Sequence, residues 1–164
     1  MSELFNDSFG SKLNPAQVVQ QIVDFMRAEP ERKYNVTVGT DSERLATGKA
    51  DFVSAIVVHR VGNGGRYFWR HVSLGKFHTL RDRIIKEVLL SLDLGKEILL
   101  ELERQAESGA PKLQWAFEIH ADVGEVGETK VMIQEVVGMI RAHNFAVKTK
   151  PGSYAASNVA DRHV

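Results

Sequence analysis

The chain has 164 residues, which suits one domain with a single core, and its 43% hydrophobic and 26% charged residues are ordinary for a globular protein. Lys plus Arg and Asp plus Glu both number 21, so the net charge is zero and the basic excess typical of nucleic-acid-binding proteins is absent. The absence of cysteine excludes disulfides and thiolate metal sites. No apolar run approaches the ~20 residues of a membrane helix, and the first residues do not resemble a secretory signal. We therefore expect a cytoplasmic protein with no membrane partner.

The first predicted element is an amphipathic helix from Pro15 to about Arg27. Its apolar residues recur with helical spacing, Asn14 is a plausible N-cap, and proline is favoured at the first helical position. We expect residues 1–30 to form a helical extension that packs on the rest of the chain.

Three strands follow in the prediction, at Tyr34–Thr40, Phe52–Val61 and Arg66–Leu74. A glycine-rich turn at Gly62–Gly65 joins the second and third of these strands into a hairpin. The third strand interleaves aromatic with charged residues. This pattern is compatible with a surface on which bases stack, but a half-buried hairpin strand explains it better.

A long helix is predicted from about Thr79 to Glu107, with a possible kink at Gly95. A fourth strand at Leu113–Ala121 and a helix from Thr129 to about His143, capped by Thr129, come next.

The last predicted elements are a fifth strand at Phe145–Lys150 and a short helix capped by Ser153. After the first helix the order is β-β-β-α-β-α-β-α. This order predicts a single α/β domain over residues 1–164, with a mixed five-stranded sheet flanked by helices and one extra N-terminal helix.

Two aspartates are expected at strand ends on one edge of this sheet. Asp41 follows the first predicted strand and Asp122 follows the fourth. An aspartate after a strand is most often a turn former. Asp122 stands out, because alternation places it on one strand face with Glu118 and His120, and three ionisable residues there are unfavourable unless they are paired or bind something.

Two further acidic residues lie on predicted helices. Glu87 sits at the margin of the apolar stripe of the long helix, where a solvated residue paired with Arg83 is the ordinary interpretation. Asp161 shares a face of the last helix with Tyr154, Ser157 and Asn158, and its ordinary interpretation is a polar surface near a terminus.

The predicted topology brings the four acidic residues together. The first and fourth strands are neighbours, and both helices can pack beside them. Four carboxylates around one cleft repel each other unless cations neutralise them, and two hard divalent ions suit this chemistry. Such ions can activate a water and stabilise the leaving oxygen of a phosphodiester.

The chain resembles the YkuK family, a bacterial family within the ribonuclease H-like superfamily, over nearly its whole length. The stretches that carry the resemblance are VGTDS (Val38–Ser42), AIVVHRVGNGG (Ala55–Gly65), LRDRIIKE (Leu80–Glu87), HADVGEVGETK (His120–Lys130), EVVGMI (Glu135–Ile140) and KPGSYAASNVADR (Lys150–Arg162).

The resemblance implies a ribonuclease H-like fold and an acidic site at Asp41, Glu87, Asp122 and Asp161. In this interpretation the four residues are both catalytic and metal-binding, with two Mg²⁺ or Mn²⁺ ions as cofactors. The implied activity is a nuclease, a hydrolase that cleaves the phosphodiester bonds of RNA, DNA or a hybrid.

A basic and polar set of residues surrounds these acids in sequence and is expected to grip a nucleic-acid backbone. Its members are Ser42, Arg81, Arg83, His120, Lys130, Lys150, Ser153, Tyr154, Ser157 and Arg162.

Two alternatives to an enzyme stay open. The same fold can serve as a non-catalytic module that binds nucleic acid or protein, which the neutral charge favours. The four carboxylates can also form a metal-stabilised structural cluster.

Overall fold

The computed structural model describes residues 4–164, except for the side chains at positions 156 and 157. In this part of the chain seven strands form one mixed sheet: β1 (Phe5–Asp7), β2 (Lys12–Leu13), β3 (Lys33–Arg44), β4 (Lys49–Arg60), β5 (Gly65–Lys76), β6 (Gln114–His120) and β7 (Ala146–Lys148). The helical elements are α1 (Pro15–Ala28), α2 (Leu80–Ala106), a 3-10 helix at Glu128–Met132 that leads into α3 (Ile133–Ala142), and a π-helical segment at Ala155–Ala160 that leads into α4 (Asp161–His163). We call residues 155–163 the C-terminal helix.

The strand order is β2-β1-β5-β4-β3-β6-β7. Strands β3, β4 and β5 are antiparallel neighbours, whereas β6 pairs with β3, and β7 with β6, in parallel. The expected α/β class is therefore confirmed, and so is the expected pairing of β3 with β6. The register pairs Gly39 with His120, which brings Asp41 level with Asp122 two residues further along.

The sheet has two more strands than expected. The N-terminal extension was expected to be only helical, but β1 pairs with β5 and β2 pairs with β1. The Asp7 side chain accepts the N–H groups of Phe9 and Ser11 and so stabilises the turn between the two strands. Strands of three and two residues are too short to show an alternating pattern in the sequence. Helix α1 agrees with the prediction, and Asn14 and Gln17 form a reciprocal capping box at its start.

The main core lies between one face of the sheet and helices α1, α2 and α3. Val36 and Val38 of β3 and Ile56 and Val58 of β4 point toward this side and are fully buried. Helix α2 runs through Gly95 without a break, and a Cβ at this position would meet Ile119 Cδ1 at 2.7 Å. Gly95 therefore allows close approach of the helix to β6.

The C-terminal helix packs on the opposite face of the sheet. Its Ala160 contacts Val53 and Ala55 of β4 in a small separate cluster. Near its end the His163 ring stacks on Trp69 of β5, with centroids 3.8 Å apart and planes 9° apart. Small residues and one aromatic stack thus hold this helix close to the strands.

Two predicted boundaries near the acidic residues were wrong. Strand β3 does not end before Asp41 but continues to Arg44, because its backbone stays paired with β4 through Ala50 and Asp51. Thr129 does not cap an α-helix: it lies in the 3-10 helix, and its Oγ1 accepts the N–H of Gly124 at 3.1 Å. Both features depend on the particular backbone and side-chain partner that each segment finds, which the pattern of apolar and polar residues does not show.

None of the helices in residues 4–164 has the length and apolar character needed to cross a membrane.

Candidate functional site

The candidate site lies where β3 and β6 approach the same edge of the sheet. Successive residues of β3 point to opposite faces, so Asp41 faces the C-terminal helix and Ser42 faces α2. Residues from both sides of the sheet therefore meet at this edge.

Asp41 is a buried carboxylate with an acidic neighbour. Its side chain is 8% exposed, and its Oδ1 accepts the N–H of Ser42 at 2.8 Å. The carboxyl group of Asp161 lies within hydrogen-bonding reach of it. Burial, this hydrogen bond and the charge of Asp122 raise the pKa of Asp41 from 3.8 to about 7. Two carboxyl groups in contact share a proton more readily than both lose one.

Glu87 is buried on α2 and bound to β3. It is only 4% exposed, and Ser42 Oγ donates a hydrogen bond to its Oε2 at 2.5 Å. Arg83 Nη1 donates to the carbonyl and hydroxyl oxygens of Ser42 at 3.0 and 3.1 Å. Burial raises the pKa of Glu87 well above its usual range; the Ser42 hydrogen bond lowers it in part, and the charges of Asp41 and Asp122 raise it further. The interpretation of Glu87 as a solvated surface residue is therefore wrong.

Asp122 follows β6 and forms an ion pair with Lys150. The Lys150 Nζ lies 3.2 Å from Asp122 Oδ1. The backbone brings the two segments together, since the Lys150 N–H donates to the Val123 carbonyl at 2.8 Å. A Cβ on Gly124 would lie 2.8 Å from Lys150 Cβ, so glycine allows this close approach. Lys150 thus lies at the site, in contact with one of its acids.

The four predicted acids influence one another as one group, which we call the acidic cluster. Asp41 is affected by Asp122 and Asp161, and Glu87 is affected by Asp41 and Asp122. Like charges in a buried position are unfavourable without a compensating cation. The structure brings these residues together, while their catalytic and metal-binding roles stay predictions.

The donor chemistry of the acidic cluster fits a hard divalent cation, because all its side chains offer carboxylate oxygens. Each carboxylate is, however, engaged by the protein: Asp41 by Asp161, Glu87 by Ser42, and Asp122 by Lys150. Among the described residues, no three acidic or histidine side chains are in position to hold an ion jointly. Ion binding therefore requires these side-chain contacts to rearrange.

His120 has a different position from the one expected of a substrate-binding residue. It is 1% exposed, its Nε2 lies 2.9 Å from Glu118 Oε1, and its Nδ1 accepts the N–H of Ala155 at 3.0 Å. The hydrogen bond with His120 lowers the pKa of Glu118. Both ring nitrogens bind protein groups, so the prediction of a direct substrate contact is corrected to a structural one. Glu118 and His120 are thus paired with each other, which is one of the two explanations that the sequence allowed for ionisable residues on this strand face.

The other predicted substrate-binding residues fall into four groups. Arg81 forms a two-fold ion pair with Glu135 of α3, with both N–O distances at 2.6 Å, so its guanidinium group is already bound to a carboxylate. Ser153 is fully buried, so its side chain does not reach the solvent. The Ser157 side chain lies outside the described residues. Arg83 and Ser42 support Glu87. Of the remaining members, Tyr154 is half-buried, and the exposed ones are Lys130, Lys150 and Arg162.

Two contacts were missed by sequence reasoning. The hydrogen bond between His120 and Ala155 and the stack of His163 on Trp69 both tie the C-terminal helix to the sheet. Nothing local links these residues, which are 35 or more positions apart. The only sequence signal was the unusual polar face of the fourth strand.

Comparison with known proteins agrees with the topology. A family model described as ribonuclease H-like matches residues 17–164. The chain belongs to the ribonuclease H-like family. It is also 29% identical, over 98% of its length and 96% of the relative's, to the Bacillus subtilis (strain 168) protein named "Uncharacterized protein YkuK". These matches confirm the resemblance to the YkuK family. No solved structure matches significantly.

Membership of the ribonuclease H-like family indicates a function related to nucleic acids. Within this family fold, the acidic cluster lies at the edge shared by two parallel strands, and the family match includes all four of its residues.

Proposed function

We propose that this protein is a metal-dependent phosphodiesterase that hydrolyses nucleic acid. The observation that carries this proposal is the acidic cluster, in which burial and mutual repulsion hold the pKa values of Asp41 and Glu87 above their usual range. A protein gains no stability from buried carboxylates that repel one another. Such an arrangement is typical of a site that is stabilised by cations and used for chemistry.

In this proposal the acidic cluster would hold two Mg²⁺ or Mn²⁺ ions. Asp41 and Asp122 would contribute to both ion sites, Glu87 to one of them and Asp161 to the other. When bound, the ions supply activation of a water and stabilisation of the leaving oxygen. The oxygen of this water would form a bond to phosphorus as the bond from phosphorus to the leaving sugar oxygen breaks, so no covalent bond to the protein would form. The water would release a proton to the solvent, and the leaving oxygen would take one up from the solvent. Ser42 orients Glu87 through its hydroxyl group.

Three basic side chains of the predicted substrate-binding set are suited to contact the phosphate backbone. Lys130 and Arg162 are exposed, and Lys150 is half-exposed beside Asp122. Lysine and arginine contacts of this kind position a nucleic acid without reading its sequence. They compensate locally for the zero net charge of the chain.

The test is hydrolysis of a labelled RNA–DNA hybrid, a structured RNA and a single-stranded DNA with Mg²⁺ or Mn²⁺. Asp41→Asn and Asp122→Asn are expected to slow cleavage at least about 100-fold, equivalent to about 3 kcal/mol of transition-state stabilisation. The matched controls are Asp24→Asn and Glu97→Gln, which change exposed carboxylates on α1 and α2. Cleavage by both cluster variants at the wild-type rate would show that the assignment is wrong.

A second candidate is a nucleic-acid-binding module without turnover. The engagement of three cluster carboxylates by Asp161, Ser42 and Lys150 favours it, since these contacts satisfy the acids without an ion. In the same assay this candidate predicts complexes that form equally well with a chelator and yield no product.

A further inference from the structure

The C-terminal helix needs a fixed position if Asp161 is to serve the site. Asp161 is exposed and begins α4, a last helical turn of only 3 residues. The first N–H groups of any helix lack partners within the helix and must find them elsewhere. The contact made by the start of the C-terminal helix therefore helps to determine where Asp161 lies.

His120 makes that contact from the end of β6. Its Nδ1 accepts the Ala155 N–H at 3.0 Å, and both residues are essentially inaccessible to solvent, at 1% and 0% exposure. A nitrogen that accepts carries no proton, so the proton lies on Nε2, which donates to Glu118 Oε1 at 2.9 Å. The two bonds fix both the tautomer and the plane of the ring. The Tyr154 ring packs edge-on against it, with centroids 4.5 Å apart.

The location of His120 links two members of the acidic cluster. It lies on β6 two residues before Asp122, and through Ala155 it holds the helix that carries Asp161. From Ala155 to Asp161 the backbone is continuously helical, so a shift at its start is passed on to Asp161. The His120 side chain thus contributes to the separation between Asp161 and the strands that carry Asp41 and Asp122, together with the packing of Ala160 and the stack of His163 further along the helix.

We propose that His120 is a positioning residue, which places Asp161 in the acidic cluster by anchoring the first N–H of the C-terminal helix. This inference rests on the proposed function. His120 touches neither substrate nor metal in this role, and it acts only through the helix.

Two nearly matched substitutions distinguish the hydrogen bonds made by the two ring nitrogens of His120. His120→Asn keeps an acceptor oxygen near the place of Nδ1, whereas His120→Gln keeps a donor near the place of Nε2 and loses the acceptor for Ala155. Both leave a smaller polar side chain in the same buried site. Ile98→Val, a substitution in the core on the opposite face, controls for a general loss of stability.

The first measurement is hydrogen exchange of the amides in residues 155–163 without metal. His120→Gln is expected to accelerate exchange there about tenfold or more relative to the rest of the sheet, and His120→Asn and Ile98→Val are expected to stay within about threefold of wild type. Unchanged exchange in His120→Gln would overturn the anchoring role, whether or not the protein cleaves any substrate.

The second measurement is Mn²⁺ affinity in a double-mutant cycle with Asp161→Asn. Loss of an orienting contact typically weakens metal binding about 10- to 100-fold, so His120→Gln should show this loss with Asp161 present and little further loss in Asp161→Asn. Equal losses in both backgrounds, or none in either, would overturn the proposal. If the cycle shows coupling while no nucleic acid is cleaved, the positioning role stands and the nuclease assignment fails.

Discussion

Asp41 shows how a single residue at the acidic cluster affects stability. Its pKa in the folded protein is about 7, against 3.8 in the absence of the fold. The folded state therefore holds the proton more tightly than the unfolded state, so the free energy of unfolding falls as the pH rises between these values. The destabilisation is absent below pH about 4 and complete above pH about 7.

Replacement of Asp41 by asparagine is expected to remove this pH dependence. Without divalent ions, Asp41→Asn should melt about 3–6 °C higher than wild type at pH 8 and at nearly the same temperature at pH 4, because asparagine stays neutral. Thermal melts across this pH range measure the difference. Asp24→Asn, at an exposed position on α1, should show no such dependence on pH. If Asp41→Asn is destabilised equally at pH 8 and pH 4, charge repulsion is not the cause of the effect.

The C-terminal helix depends at its far end on the stack of His163 on Trp69. An aromatic pair contributes about 0.5–1.5 kcal/mol beyond its buried area. His163→Ala should therefore increase local opening of this helix by up to about tenfold, seen as greater quenching of Trp69 fluorescence by a soluble quencher. His163→Phe keeps a ring and should retain most of the protection. Equal quenching in both variants would show that the stack does not hold the helix.

Helix α2 owes its close contact with the sheet to one glycine. Gly95→Ala places a methyl group 2.7 Å from Ile119 Cδ1 and is expected to destabilise the protein by about 1–3 kcal/mol. Gly138→Ala, in helix α3, meets no atom within 4 Å and should instead stabilise by about 0.5–1 kcal/mol through helix propensity. Denaturant unfolding measures both, and the same sign for both changes would contradict this packing argument.

The helices and strands could be predicted from sequence where the residues that define them lie within the element itself. Helix α1 was anticipated with its cap, because the apolar spacing and the Asn14–Pro15 pair lie within the helix itself. Strand β1 was not anticipated, because its backbone groups pair with β5, more than 60 residues further along the chain. The end of β3 was not anticipated either, because Asp41 to Arg44 are polar and only their backbone pairing with β4 keeps them in the strand. The sequence predicts the start of an α-helix at Thr129, whereas Glu128–Met132 form a 3-10 helix, because this segment is compatible with both.

For the whole molecule, the proposed metal binding predicts a stability that depends on divalent ions. An ion that binds only the folded state at about 100 times its dissociation constant adds about 2.7 kcal/mol. We therefore expect Mn²⁺ to raise the melting temperature of the wild type by several degrees at pH 8, where the acidic cluster is most charged. At pH 5, where Asp41 is protonated, the increase should be much smaller.

Asp122→Asn provides the matched variant for this measurement, since it removes a ligand and leaves Lys150 in place. It should lose most of the Mn²⁺ effect, whereas Glu97→Gln on the exposed side of α2 should keep it. An equal rise in all three proteins would show that the ions act elsewhere on the surface.

The sequence by itself determined the α/β class, the succession of the main helices and strands, and the identity of the four acidic residues. Periodicity, caps and turn residues act within a few positions, and the family motifs contain all four acids. Only the tertiary structure decided that Glu87 is buried against Ser42 and that Asp161 reaches Asp41. It also decided that His120 accepts a hydrogen bond from the start of the C-terminal helix. These features arise from contacts between segments 35 to 120 residues apart, and the burial that shifts a pKa exists only once those segments have packed together.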